Sequence, residues 1–258
     1  MKRIALIGTG NVGSHLFEAL LSKATMVDVY SRNPANAFDL CFLDPDCNLL
    51  YNLNDIDRSV DTIIISVSDN AISSVAEQIS AMITPEFKPL VVHTSGTTPL
   101  DVLSCIDSPT GVLYPLQTFT KNVPVDLTKV HFFVEGIDES TTESVVELAS
   151  LMSEHIHVSD SATRARLHVA AVFACNFANR MWTISDDILR KIGLDFSIMQ
   201  ELVQATINKA LEVGPREGQT GPARRHDTVT VKRHLRLLPR KLKGLYTSIT
   251  NSISDDYK

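Results

Sequence analysis

The chain has 258 residues, of which 44% are hydrophobic and 21% charged, with a formal net charge of −6. That is ordinary for a folded globular protein of one large or two average domains. The acidic balance argues against broad nucleic-acid or anionic-membrane binding, and no apolar run approaches the roughly 20 residues needed to span a bilayer.

Taken in chain order, Met1 to Ile7 is too short an apolar run for a signal peptide and leads straight into glycines. Ile4 to Ile7 reads as a buried strand and is followed by a helix to about Ser22. Met26 to Tyr30 is a second strand. Further apolar runs end at Ser66, His93, Tyr114 and Val134, with helices expected over about Asn70 to Met82 and Glu139 to Met152. Continuous apolar strands separated by helices indicate a parallel sheet covered on both faces. The pattern changes near His157. A long helix is predicted from the caps at Ser159-Asp160-Ser161 to about Lys191, and a second from Asp195 to about Val213. Gly214 to Pro222 reads as a loop. Two more helices follow, over Asp227 to Leu238 and Arg240 to Ser252. The expected architecture is an α/β Rossmann-type domain with a mainly parallel sheet over residues 1–158, then an all-α domain over 159–258. The cysteines, Cys41, Cys47, Cys105 and Cys175, form no CxxC pair and no zinc spacing. Reduced, mostly buried thiols, no metal site and a cytoplasmic location are the expectations.

Gly8-Thr9-Gly10-Asn11-Val12-Gly13 is a GxGxxG run between a predicted strand and a predicted helix, the context a dinucleotide-binding turn requires. Gly8 permits the tight turn, Gly10 lets the backbone approach a pyrophosphate, and Gly13 lets helix and strand pack closely. The helix N-terminus presents free N–H groups to phosphate. The competing reading is a tight turn that binds nothing. An NAD site usually ends the second strand with an acid that accepts from the ribose 2′-hydroxyl. Here Asp28 lies too early, inside the strand, and Ser31-Arg32 occupies the tip. Arg32 offers a charged fork for a 2′-phosphate, so NADP is expected over NAD.

Ligands of open α/β sheets sit beyond the carboxyl ends of the strands. That rule places the turn Ser66-Val67-Ser68-Asp69 beside the nicotinamide ribose. Thr94-Ser95-Gly96 after His93, and Gln117 after Tyr114-Pro115-Leu116, become candidate substrate contacts. Plain turn chemistry accounts for the same residues equally well. On an uninterrupted helix Arg164, His168, Cys175 and Asn179 share one stripe, with Asn176 at its edge. His168 is either a general acid or a satisfied core histidine. His93 is the competing proton donor. Asn176 and Asn179 either orient a substrate or bridge helices. Farther on, Thr220-Gly221-Pro222-Ala223-Arg224-Arg225-His226-Asp227 places Arg225 as a grip for an anion or a partner subunit, and Asp227 as a helix cap.

These markers together (the glycine turn, Ser31-Arg32, His93 to Gly96, Tyr114 to Gln117, His168 with Asn176, and Thr220 through Arg225 and Asp227 to His234) resemble the Rossmann-like proteins with a DUF2520 C-terminal domain. That family stands in the broad group with pyrroline-5-carboxylate reductase, the β-hydroxyacid dehydrogenases and the F420-dependent NADP oxidoreductases. The chain departs from it where Tyr114 replaces a frequent His and Arg164 a frequent Lys, which weakens the transfer of a base or a catalytic lysine. The resemblance implies an oxidoreductase class but no substrate, with the helix of His168 and Asn176 facing the nicotinamide and a homodimer formed through the helical domain. The glycine turn and the polar strand ends point to an NADP-dependent oxidoreductase acting on a small, anionic molecule. The alternative is a non-catalytic NADP(H)-binding sensor or partner-binding protein.

Overall fold

The computed structural model describes residues 2–257. Eight strands form one sheet in the order β3-β2-β1-β4-β5-β6-β7-β8. Strands β1 (Arg3–Ile7), β2 (Thr25–Tyr30), β3 (Asn48–Leu50), β4 (Thr62–Ile65), β5 (Leu90–His93) and β6 (Thr110–Leu116) pair in parallel. β7 (His131–Gly136) runs antiparallel to β6, and β8 (Ile156–Val158) pairs in parallel with β7. The three-residue strands β3 and β8 have no distinct signal in the sequence. Neither does α2 (Pro34–Cys41), whose N-terminus Asn33 caps through a bond from the Ala35 N–H.

Successive strand residues feed opposite faces, so both faces must be apolar. Ile4, Leu6, Ile64 and Val92 join one core, with Leu16 and Phe17 of α1 (Asn11–Leu20) and Val145 and Leu148 of α4 (Glu139–Ser150). Ala5, Ile7, Ile63, Ile65 and Val91 join the other, with Ile72, Ala76 and Ile79 of α3 (Asp69–Ser80). Each Ile or Leu shut away in this manner contributes about 1.5–3 kcal/mol.

The sheet ends at Val158, where the strand-to-helix change was expected. Asp160 caps α5 (Ser161–Ala171) by accepting from the Thr163 N–H at 2.7 Å. A π-helical segment, Val172–Phe177, separates α5 from α6 (Ala178–Arg190). Two compact units, Met1–Asn179 and Arg180–Lys258, divide within α6, so α5 and the π segment belong with the sheet. The second unit carries α7 (Gln200–Val213), a single turn α8 (Pro215–Gly218) within the expected loop, α9 (Thr228–Leu237) and α10 (Arg240–Asp256). Gly193 at φ +75° ends the helix before α7. Asp227 caps α9, accepting from the Thr230 N–H at 3.0 Å. All four cysteines are free thiols, but Cys105 and Cys175 are exposed rather than buried. Among the described residues no helix is long and apolar enough to cross a membrane, and no group of three or more His, Cys, Asp or Glu is placed to hold a metal ion.

Candidate active site

The turn from β1 to α1 assigns each glycine a separate task. Gly8 has φ +101°, and a Cβ there would stand 2.2 Å from the Ser66 carbonyl oxygen. Its N–H donates to Tyr30 O at 2.8 Å, which fixes the turn against β2. A Cβ on Gly13 would fall 2.1 Å from Gly8 O, so helix and turn touch only because it is absent. At Gly10 a Cβ would meet nothing within 4 Å, and the space above the helix end stays open. Gly10 is the N-cap of α1, with no side-chain cap and no acid in the first turn. The positive end of α1 is thus available to an anion. Beside it Thr9 is buried, and its Oγ1 has no hydrogen-bond partner among the described residues. An orphaned buried hydroxyl, open space over Gly10 and an uncapped helix end fit the pyrophosphate of a dinucleotide.

The end of β2 explains Asp28. It is 1% exposed; Oδ1 accepts from Asn48 Nδ2 at 3.2 Å and Oδ2 from the Asp57 N–H at 2.7 Å. Burial pushes its carboxyl above the usual range despite these bonds. Asp28 therefore ties β2 to β3 and the segment after it, and is not placed as a ribose acceptor. Ser31 is buried at the tip. Arg32 is exposed and makes no hydrogen bond or ion pair among the described residues.

A cleft of about 830 Å³ opens where the strands end. Gly10, Asn11 and Val12 form one wall, and Ser66, Val67 and Ser68 the next. Asp69, the first residue of α3, also lines it and accepts from Thr97 Oγ1 at 2.7 Å. Thr94, Ser95 and Gly96 follow from β5. Thr94 Oγ1 contacts Ile65 O at 3.4 Å, and Ser95 Oγ accepts from the N–H groups of Thr97 and Thr98 at 3.2 and 2.9 Å. Both hydroxyls thus also organise the loop. Tyr114, Pro115, Gln117 and Phe119 from the end of β6 complete the wall, with His168 from α5.

Tyr114 Oη lies 3.1 Å from His168 Nδ1. Burial raises the phenol pKa, so Tyr114 keeps its proton. Gly96 makes the pairing possible: a Cβ there would stand 2.7 Å from His168 Nδ1 and 2.8 Å from the Tyr114 ring. One turn before His168, Arg164 is fully buried. It pairs with Glu135 of β7 and donates to Thr98 O at 2.8 Å and Ser161 Oγ at 3.1 Å. Ser161 Oγ in turn donates to Glu135 at 2.8 Å and accepts from the Leu100 N–H at 3.0 Å. This network fastens α5 to the loop after β5. Because Arg164 and His168 stand four residues apart on one helix face, it also sets where the imidazole sits. Arg164 is a clamp with no place in the cleft wall.

The other expected site residues sit elsewhere. His93 is fully buried behind the loop, and its Nδ1 accepts from the Ser95 N–H at 3.2 Å. Burial, then the Arg164 guanidinium, lowers its pKa to about 4, so it is neutral near pH 7. Asn176 and Asn179 are exposed, and neither lines the cleft. The single 100° stripe does not persist beyond α5, because the wider π turns shift the phase of every later residue. Arg225 is exposed in the second unit, where its neighbour Arg224 stacks on Tyr257 at 4.9 Å. Sequence reasoning put Asp69 in the turn beside the nicotinamide ribose but gave no site role to Phe119 or the Tyr114 hydroxyl. Their signal was position alone, Tyr114 near the end of β6 and Phe119 just past it.

The family model of the NAD-binding domain of 6-phosphogluconate dehydrogenase matches residues 3–102, and that of DUF2520, a domain of unknown function, matches residues 130–253. A "putative NADP oxidoreductase" of Bacteroides fragilis is 33% identical, with 98% of each chain covered and a TM-score of 0.90. At lower identity the fold alone is shared. A reductive aminase of Aspergillus terreus solved with NADPH is 13% identical, with 99% of this chain and 98% of that one covered and a TM-score of 0.72. An imine reductase of Myxococcus stipitatus solved with NAD+ is 16% identical, with 99% and 93% covered and a TM-score of 0.62. No curated protein matches. With an NAD(P)-binding domain, a DUF2520 domain and a third of its residues shared over the full length of the Bacteroides protein, the chain belongs to the family of oxidoreductase-like Rossmann proteins that carry a DUF2520 domain.

Proposed function

We propose that the protein is an NADP(H)-dependent oxidoreductase that moves hydride to or from a CH–OH or CH–NH carbon of a small molecule held in this cleft. The observation that carries this reading is the Tyr114 Oη–His168 Nδ1 contact of 3.1 Å, in the same cleft wall as Gly10 to Val12 and Ser66 to Ser68. When bound, the cofactor supplies hydride. The chain's residues do the rest. Gly8, Gly10 and Gly13 with the α1 end receive the pyrophosphate, and Ser31 and Arg32 the 2′-phosphate. Tyr114 holds a proton at Oη toward the substrate heteroatom, and His168 exchanges it. His93, neutral and buried, shapes the Thr94-Ser95-Gly96 loop instead of donating. A pure redox sensor needs no such proton-handling pair, so catalysis is favoured.

The expectation of an anionic substrate gains no support from the cleft side chains, since no Lys or Arg among the described residues lines the wall. A homodimer through the second unit remains part of the proposal, because that unit exposes large apolar side chains. The functional test is NADPH consumption with a panel of small ketones, aldehydes, imines and hydroxy acids. Turnover with any of these classes supports the reading. Tight NADPH binding with no turnover across the panel would replace it with a sensor.

A further inference from the structure

We infer that the cleft selects a substrate bearing a cationic nitrogen, an ammonium or protonated imine, and rejects carboxylates, with Asp69 as the recognising group. The inference rests on the functional reading above and adds the substrate's charge. Among the described residues Asp69 is the one formally charged carboxylate in the cleft wall, and no Lys or Arg stands there to balance it. Its hydrogen bond from Thr97 Oγ1 at 2.7 Å uses Oδ2 and leaves Oδ1 without a bond among the described residues. The cations nearby in the chain are turned to other work. Arg164 is buried and consumed by Glu135, Thr98 O and Ser161. Lys121 lines a separate hollow with His15, Glu18 and Asp39. The lining also includes the rings of Tyr114 and Phe119, whose faces attract cations. With the α1 end taken by the cofactor's pyrophosphate, a carboxylate entering this cleft would meet the exposed Asp69 carboxylate with no Lys or Arg side chain in the described wall to offset it.

The chemistry is consistent with such a substrate. Hydride added to the carbon of a protonated imine moves the C=N π pair onto nitrogen and yields a neutral amine. That amine then takes a proton from the Tyr114–His168 pair and leaves as an ammonium ion.

The test compares three probes of one shape, cyclohexylammonium, cyclohexanol and cyclohexanecarboxylate, by calorimetry on the full chain, alone and saturated with NADP+. The ammonium should bind about tenfold more tightly than the carboxylate, with the alcohol between. Asp69→Asn keeps the acceptor for Thr97 and should reduce that preference to about twofold while NADP+ affinity stays within about threefold. Equal or tighter carboxylate binding in the unaltered protein, which needs no variant, would overturn the inference. So would an unchanged preference in Asp69→Asn accompanied by a large loss of NADP+ affinity, which would make Asp69 a cofactor contact. Failure of NADP+ to bind at all would count against the functional reading, and the loss or retention of cyclohexylammonium binding in Asp69→Asn, measured on the protein alone, would still decide whether Asp69 recognises the cation.

Discussion

Within Met1–Asn179 the strands shut nearly all their large apolar side chains away from water, whereas within Arg180–Lys258 the buried apolar residues, among those described, are Leu189 and Ala223. In the second unit Leu211 and Leu237 are more than four-fifths exposed, at 82% and 83%. There Met181, Ile184, Leu238 and Leu242 line an apolar groove of about 780 Å³, with His234 Nδ1 and Tyr246 Oη 2.7 Å apart at its side. The first unit has a closed core on each face of its sheet and can place polar groups such as Thr9, His93 and Arg164 with precision. The second has helices whose apolar sides are left over. The candidate site and self-sufficient packing go together in the first unit; the second exposes apolar surface of the kind that the proposed dimer would cover.

The sharpest way to break this contrast is a charge on the leftover apolar surface. Leu237→Glu should shift the protein from dimer to monomer, raising the dimer dissociation constant by about a hundredfold or more, because an unpaired carboxylate would be buried on association. Analytical ultracentrifugation at micromolar concentration checks this. A parent protein that is monomeric there would remove the contrast's premise.

The first unit's tight packing should appear as acid sensitivity. His93 has its folded pKa lowered to about 4 from 6.5, so the unfolded chain binds the proton more readily. Its share of stability is complete above pH 6.5 and is lost as pH falls toward 4, by about 3 kcal/mol in all. His93→Gln, which does not titrate, should flatten that part of the curve of melting temperature against pH. An unchanged curve would mean that His93 is not held neutral by burial.

The smallest expected effect is at the sheet's edge. Arg32→Ala should weaken NADPH by roughly 1.5–3 kcal/mol, the range for a charge-assisted bond, and leave NADH within about twofold. Fluorescence titration with both cofactors measures it, and equal loss for both would reject Arg32 as the 2′-phosphate contact.

Most of the first unit was legible in the sequence because its signals are local. Glycine spacing, apolar runs and caps such as Asp160 act through residues a few positions away. β3 and β8 were not legible, since three residues carry no period. The π segment was also hidden, and with it the shift of Asn176 and Asn179 off the stripe that carries Arg164 and His168. A helical wheel assumes one pitch, and Val172–Phe177 departs from it. The site was legible by the strand-end rule and illegible by contact. Nothing local tells that Gly96 leaves room for a Tyr114–His168 pair 54 residues apart in the chain. Asp28 is the converse case, an acid near the cofactor strand whose partners, Asn48 and Asp57, lie well along the chain.

The central claim is that Tyr114 and His168 handle a proton during hydride transfer in an NADP(H) enzyme. The direct measurement is steady-state turnover together with NADPH affinity for the unaltered protein, Tyr114→Phe and His168→Ala, using the most active compound from the carbonyl and imine panel. Each variant should lower kcat by about a hundredfold or more, the usual contribution of a general acid, with the NADPH dissociation constant within about threefold of the parent. Undiminished turnover in both variants, or loss of NADPH binding that accounts for the whole defect, would contradict the account.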